Sequence, residues 1–498
     1  MTQILTSAQM RAAETAAMAQ GGVTGLTLME RAGQGVVTAC HAHWPELANS
    51  STRRALILCG PGNNGGDGYV IARLLRDAGW QVDVLALPGT GAPDARENEA
   101  RWRALGPVQR LTAQALRNHP GADLHVDALF GIGLSRPLSG DLHDITTCLA
   151  QMDLPRLVAV DVPSGLSADS GAALGPVPPA ALTVTFDSPK PGHYLADGPA
   201  HCGHLAVVDI GIGSFRPEEA ITLIDHLSPD IIAQLRKGPG HKYSHGHALV
   251  LGGGPGQGGA ARLSARGALR IGAGAVTLAV PPAALTENAA QLNAVMLRTI
   301  PDAAALRALL QDRRISALCL GPGMGTDARE ADLLAAALNG TPVVLDADAL
   351  TLLAQSPDLF AQLHDHCILT PHDGEFARLF PDLDTAAGSR IDRVRKAAKR
   401  TGCTVLLKGP DTVIADASGR CFIHAAAYAR RAPWLATAGS GDVLAGIITG
   451  LLARGFAPLD AATTGAFVHT SCARAFGPGL IAEDLPEMLP QVLRDLAV

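Results

Sequence analysis

The feature that most constrains this chain is how its apolar runs begin and end. In the first half, stretches rich in Val, Leu, Ile and Ala stop repeatedly at a glycine- or acid-bearing turn, with helical patterns between them. They read "RALILCG", "QVDVLAL", "LHVDALFG", "RLVAVDVPSG", "AALTVTFDSP" and "HLAVVDIG". Near-continuous apolar strands linked by helices, such as Tyr69 to Ala78, predict a parallel sheet covered on both faces. "LTSAQMRAAETAAMAQ" predicts an N-terminal helix capped by Thr6 or Ser7. After Gly213 the register breaks. "SFRPEEAITLIDHLSP" has no strand pattern and carries Pro217. A second α/β series then runs through "HGHALVLGGG", "AGAVTLAVPP", "ISALCLGPGMG", "TPVVLDADAL", "HCILTPHDGE" and "TVLLKGPDTVIAD" to "ATAGSGDVLAGIITGLLARG". A chain of 498 residues exceeds one core. The boundary falls near 215–225, giving domains 1–218 and 219–498, without a fixed-period repeat.

Composition removes several function classes. The formal charge is −6 and aromatics are 4%, so no basic, aromatic-studded surface for nucleic acid is expected. The one dense basic run, "DRVRKAAKR" (392–400), reads as a solvated helix closed by Gly402. The nine cysteines show no C-x-x-C or zinc spacing and read as reduced core residues of a cytosolic protein. The N-terminus lacks the basic and apolar regions of a signal peptide, and no run reaches membrane-span length. The expected location is the cytoplasm. Small molecules are the expected partners, with no nucleic acid or membrane, in a homo-oligomer.

Ligands of an open parallel sheet sit at the strands' carboxyl ends. Four loops fall there in the first half: 60–68, 126–137, 161–165 and 188–193. "CGPGNNGGDG" satisfies G-x-G-x-x-G. However, the second strand ends in Leu87 and Pro88, with Asp83 inside it, so the acid that a dehydrogenase uses to hold ribose is missing. Asn63, Asn64 and Asp67 in their glycine frame are either turn formers or ligand contacts. Asp127 and Asp161 at two other strand ends favour a site. The oxygen donors Asn64, Asp127 and Ser164 suit either a hard cation or a hydrogen-bond network without one.

In the second half, "ATAGSGDVLAG" predicts a strand end passing through Gly439, Ser440 and Gly441 into a helix that begins near Asp442. That arrangement makes an anion hole from backbone N–H groups. Asp442 beside it is either a helix cap or the base that takes a proton from a hydroxyl attacking a phosphoryl group. "LLKGPDT" predicts a strand, Lys408 and a turn at Gly409 and Pro410, which is either a plain hairpin or a nucleotide perch. His372 and Glu375 share a strand edge with Asp346 and Asp348. Without a second His or Cys nearby, a transition metal is poorly supported.

Residues 3–213 resemble the NAD(P)H-hydrate epimerase domain through "LTSAQMRAAE", "LTLMERAG", "CGPGNNGGDGYVIAR", "VDALFGIG" and "DVPSGLSADSG", in that order. Residues 225–495 are similar to the ADP-dependent NAD(P)H-hydrate dehydratases through "LGPGMG", "LDADAL", "TPHDGE", "LLKGPDT" and "AGSGDVLAG". The family's common "PHPGE" is "PHDGE" here. The resemblance implies an α/β protein with a Rossmann-like domain followed by a ribokinase-like domain, acting in repair of hydrated nicotinamide nucleotides. It implies potassium at Asn64, Asp127 and Ser164. It implies hydrate contacts at Asn63, Asn64, Gly65, Gly66 and Asp67, at Gly131, Ile132, Gly133, Leu134, Ser135, Arg136 and Pro137, and at Asp161. In the second domain it implies hydrate contacts at Ala260, Gly323, His372 and Asp442. ADP falls on Lys408, Gly409, Pro410, Asp411, Thr412 and Gly441, with Mg2+ as a companion. Asp161 and Asp442 are the expected catalytic residues. The alternatives are a small-molecule kinase fused to a nucleotide-binding domain and a non-enzymatic nucleotide sensor.

Overall fold

The computed structural model describes residues 1–48, 53–89, 91–384 and 389–498. They form two compact units, Gln3–Ala220 and Ile221–Val498, with Met1–Thr2 grouped with the latter.

The first unit opens with helix α1 (Ser7–Ala19), whose N-cap is Thr6 in a reciprocal capping box with Gln9, followed by α2 (Gly25–His43). Its strands are β1 (Arg54–Cys59), β2 (Gln81–Ala86), β3 (Gln109–Arg110), β4 (Leu124–Ala128), β5 (Leu157–Val160), β6 (Leu182–Phe186) and β7 (His204–Val208). They lie in the order β3-β2-β1-β4-β5-β6-β7, every pair parallel. Burial on both faces explains the unbroken apolar runs. Along β1, Ala55, Ile57 and Cys59 enter one core cluster, and Leu56 and Leu58 enter another on the opposite face. The order reverses between β1 and β4, which opens a crevice at their carboxyl ends.

The glycine-rich segment after β1 is not the loop that its composition predicts. Helix α3 spans Asn63–Asp77 and begins six residues before Tyr69. Asn63, Asn64 and Asp67 are therefore helical residues of the first two turns. The glycines allow close approach: a Cβ on Gly65 would lie 1.9 Å from the Gly60 carbonyl oxygen.

The second unit's strands are β8 (Ile221–Leu223), β9 (His247–Leu251), β10 (Ala275–Val280), β11 (Met296–Thr299), β12 (Ala317–Leu320), β13 (Val343–Leu345), β14 (Cys367–Leu369), β15 (Thr404–Leu407), β16 (Asp411–Ala415) and β17 (Cys421–Ala425). Their order is β8-β17-β16-β15-β14-β13-β12-β9-β10-β11. The pairs are parallel except β15 with β16 and β16 with β17. Helices α4 (Gly258–Arg270), α5 (Asp373–Leu379), α6 (Ser440–Ala453) and α7 (Pro458–Phe476) frame the site. Two expectations are corrected. The segment after Gly213 contains a strand, β8, because Ile221 and Leu223 are buried against β17. Helix α6 starts at Ser440 and follows the 3-10 turn Pro433–Leu435 rather than a strand; Gly439 caps it in the left-handed region. The basic run forms the helix Arg390–Thr401, capped by left-handed Gly402. All nine cysteines are free and buried. Among the described residues no helix is long and apolar enough to cross a membrane.

Candidate functional site

The first unit gathers its chemistry around the turn after β4. Asp127, in β4, is buried, and its carboxylate accepts from the backbone N–H groups of Leu129 (3.2 Å) and Ser164 (2.9 Å) and from Ser164 Oγ (2.6 Å). Burial raises its pKa while these hydrogen bonds oppose the rise. No Lys or Arg among the described residues forms an ion pair with it. Gly131 fits between Asn64 and Asp161, since a Cβ there would meet Asp161 Oδ2 at 2.8 Å and Asn64 Oδ1 at 3.0 Å. The Asn64 amide nitrogen is buried without a hydrogen-bond partner. Ser135, Arg136 and Pro137 are exposed beyond it.

Asp161 follows β5 at φ 66°, a left-handed conformation that Asp tolerates better than most residues. Its carboxylate accepts from Thr185 Oγ1 (2.9 Å) and the Ile132 N–H (3.2 Å) and pairs with the Lys190 ammonium at 3.0 Å. Lys190 is 1% exposed. It also donates to Thr185 Oγ1 and to the carbonyls of Phe186 and Ser188. Burial works against the Asp161 charge, but Lys190, His193 and Thr185 outweigh it and hold the carboxyl below its ordinary range. Asp67 is pushed well up by burial and by the nearby Asp161 and Glu14. Glu14, on α1, is pushed up by burial and Asp161. One ionised carboxylate therefore sits among carboxyls that favour the protonated form.

In the second unit, strand ends and the start of α6 converge on Asp442. Burial, with Asp346, Asp348 and Glu375 adding repulsion and Lys408 opposing them, pushes its pKa up to about 6. The Lys408 ammonium donates to Asp346 Oδ1 at 2.6 Å and lies 3.8 Å from Glu375 Oε2. Burial disfavours that ammonium charge, and Asp346 and Glu375 more than restore it. Ser264 Oγ donates to the carbonyls of Asp442 (2.8 Å) and Ala260 (3.1 Å), tying α4 to α6. Gly323 lies against Gln257 and Ala260. His372 caps α5: its Nδ1 accepts from the N–H groups of Gly374 and Glu375, while Nε2 of its exposed ring lies 3.5 Å from Glu375 Oε1.

A cavity of about 480 Å³ lies beside this cluster. Lys408, Gly409, Pro410, Thr412 and Gly441 line it, joined by the turn residues Pro433, Leu435 and Ala436. That volume is in the range of small-molecule sites. Asp411, expected with them, is not among the lining residues; its carboxylate is 3.6 Å from Arg390 Nε.

Comparison with known proteins gives both halves a relationship. Residues 25–192 match the family described as YjeF-related protein N-terminus, and 248–493 match NAD(P)H-hydrate dehydratase. The bifunctional NAD(P)H-hydrate repair enzyme of Moorella thermoacetica is 37% identical, over 99% of this chain and 97% of its own. This chain belongs to the family of bifunctional NAD(P)H-hydrate repair enzymes. The Coxiella burnetii enzyme of that name is 35% identical over 97% and 98% of the two chains. A Bacillus subtilis ADP/ATP-dependent NAD(P)H-hydrate dehydratase, crystallised with ATP and Mg2+, is 26% identical over 53% of this chain and 96% of its own, with a TM-score of 0.44.

For a member of this family, the residues that sequence patterns missed are informative. Lys190 and Thr185 flank Asp161, and no recognised motif marks either. The signal was the "SPKPGH" loop at a strand's carboxyl end, whose lysine has prolines on both sides. In the second unit the missed group is the turn 431–436 with His424, His469 and Thr470, which complete the cavity wall. Their contribution depends on how α7 packs, and no local motif announces it.

Proposed function

We propose that residues 1–218 interconvert the R and S forms of NADHX and NADPHX, and that residues 219–498 dehydrate the S form with ADP, releasing AMP and phosphate. The observation that carries this is the placement of Asp442. It directly follows Gly441 of the cavity wall, its carbonyl shares the Ser264 hydroxyl with the Ala260 carbonyl, and its carboxyl is pushed up to about 6. A general base works best near the operating pH.

The hydrate carries a hydroxyl on C6 of the reduced nicotinamide ring, next to N1. In the first unit the N1 lone pair expels that hydroxyl as water once a carboxyl supplies a proton. Water returning to the other face inverts the centre. Asp161, held as a carboxylate by Lys190, takes the proton of the incoming water. Asp67 and Glu14 are the neighbouring carboxyls able to carry one.

In the second unit Asp442 takes the hydroxyl proton as the oxygen attacks the phosphoryl group of ADP. The backbone N–H groups at the start of α6 face the developing charge. The phosphorylated oxygen then leaves, and loss of a C5 proton yields NADH or NADPH.

Asn64, Asp127 and Ser164 are the residues that would hold potassium: Asp127 is a buried carboxylate without a protein cation, in contact with the Ser164 hydroxyl, a hard oxygen donor. When bound, the ion would supply positive charge next to an anionic nucleotide. For Mg2+ the fit is different. Lys408 already pairs with Asp346 and lies 3.8 Å from Glu375, and no cluster of three or more His, Cys, Asp or Glu able to hold a metal ion occurs among the described residues. Any Mg2+ belongs with the nucleotide phosphates.

The test is the whole chain with mixed NADHX epimers and ADP, following NADH absorbance and AMP. Complete recovery of NADH with equimolar AMP is expected. A stable phosphorylated hydrate identifies a kinase instead, and no reaction leaves only a nucleotide sensor.

A further inference from the structure

The dehydratase reaction needs two nucleotides at once, and the cavity lined by Lys408, Gly409, Pro410 and Thr412 accounts for only one. The hydrate itself is a dinucleotide. With its damaged ring at Asp442, its adenine end needs a second resting place.

The turn Pro433–Leu435 is built with two sides. Pro433, Leu435 and Ala436 face the nucleotide cavity. Trp434 faces away, in a hollow of about 390 Å³ that Pro433, Ala436 and Thr437 share with Gly479, Leu480 and Ile481. Trp434 is 49% exposed and Ile481 is 52% exposed. An indole left half in water beside an exposed isoleucine discards burial that the core would reward, and it presents a flat π-face. The chain that lines the hollow also packs beside the reaction centre. Ala482, next in sequence to Ile481, packs against Gly439, and Gly439 lies 3.9 Å from Asp442 Oδ2 when measured from a Cβ built on it.

We propose that this hollow is the adenine subsite for the hydrate substrate, with the purine stacked on Trp434 against Ile481. The proposal rests on the hydrate-dehydratase assignment made above. A purine suits the site because stacking needs only a flat face and tolerates the open, solvent-facing side. Trp434 is a binding and specificity residue, remote from the proton transfer at Asp442.

The decisive experiment pairs a residue change with a substrate truncation, in the full chain. The substrates are S-NADHX and the hydrate of reduced nicotinamide mononucleotide, which lacks the adenine. Trp434→Ala is expected to raise KM for S-NADHX about tenfold or more, with kcat and the KM for ADP within about twofold of wild type. Trp434→Phe restores most of the loss. For the mononucleotide hydrate, Trp434→Ala changes nothing, because the stacking partner is already gone. An equal loss on both substrates marks a structural role and overturns the proposal. A raised KM for ADP instead places the wrong purine on the indole and also overturns it. No kinetic effect, with Trp434→Ala shifting the oligomeric state on size exclusion, makes the hollow a contact between copies. If the wild-type chain fails to dehydrate S-NADHX at all, it is the underlying dehydratase assignment that falls.

Discussion

Each half of this molecule places a lysine, fully buried in the first and partly buried in the second, beside an aspartate at the carboxyl ends of parallel strands, and the two halves use it oppositely. In the first unit Lys190 pairs directly with Asp161, the residue proposed to move protons, and holds it ionised. In the second, Lys408 pairs with Asp346, and the proposed base Asp442 is left among Asp346, Asp348 and Glu375. The physical rule is the same in both. A cation in contact lowers a carboxyl's pKa, whereas burial and surrounding carboxylates raise it. The difference lies in which carboxyl receives the contact. A base that meets water can rest fully ionised. A base that must capture a hydroxyl proton near neutral pH gains from a pKa closer to the working range.

The largest expected effect comes from removing either carboxylate while keeping its shape. Asp442→Asn should cost dehydration about 10²–10⁴-fold and leave R/S exchange untouched. Asp161→Asn should do the reverse, and Asn also tolerates the left-handed backbone at that position. Chiral separation of the epimers over time, with AMP release, reads both. Dehydration by Asp442→Asn within about threefold of wild type removes Asp442 from the chemistry.

Next in size is the lysine exchange. Lys190→Met leaves the buried Asp161 charge unpaired and should destabilise the first unit by about 3–5 kcal/mol, read by chemical denaturation at pH 7. The sign follows from the depressed pKa of Asp161. The pair's contribution is present above the ordinary Asp value of 3.8 and fades only as the pH falls through the lower folded value. A variant as stable as wild type contradicts the ion pair.

A subtler contrast lies in the pH profile of dehydration. Because Asp442 must be unprotonated to act, kcat/KM should fall as the pH drops through about 6. Lys408→Met removes the group that lowers this pKa, so the limb should move to higher pH. A limb that stays in place shows that Asp442 is not the titrating base.

The smallest effect concerns the cation. Asp127→Ala should slow R/S exchange in a way that raised potassium partly reverses. An epimerase indifferent to potassium in both wild type and variant removes the ion from Asn64, Asp127 and Ser164.

Much of this was legible in the chain itself. Unbroken apolar runs fixed parallel sheets, because only strands buried on both faces can be apolar at every position. The positions of Asp127, Asp161, His372 and Lys408 at or near strand ends followed from where those runs stop. Two local readings failed for physical reasons. Glycine and asparagine after β1 look like a loop by propensity, yet α3 takes them because tight packing against Gly60 excludes side chains there. Strand β8 is too short to show a pattern and exists because β17 offers it a parallel partner.

What the sequence determined by itself is the covalent pattern of runs and turns, and with it the α/β architecture and the set of candidate acids. What only the tertiary structure decided is how those acids are paired. Lys190 is 29 residues from Asp161, and Lys408 is 62 residues from Asp346. Which carboxyl each ammonium reaches depends on strand order and loop path. A carboxyl's protonation follows from charges within a few ångströms, and chain spacing does not encode those distances.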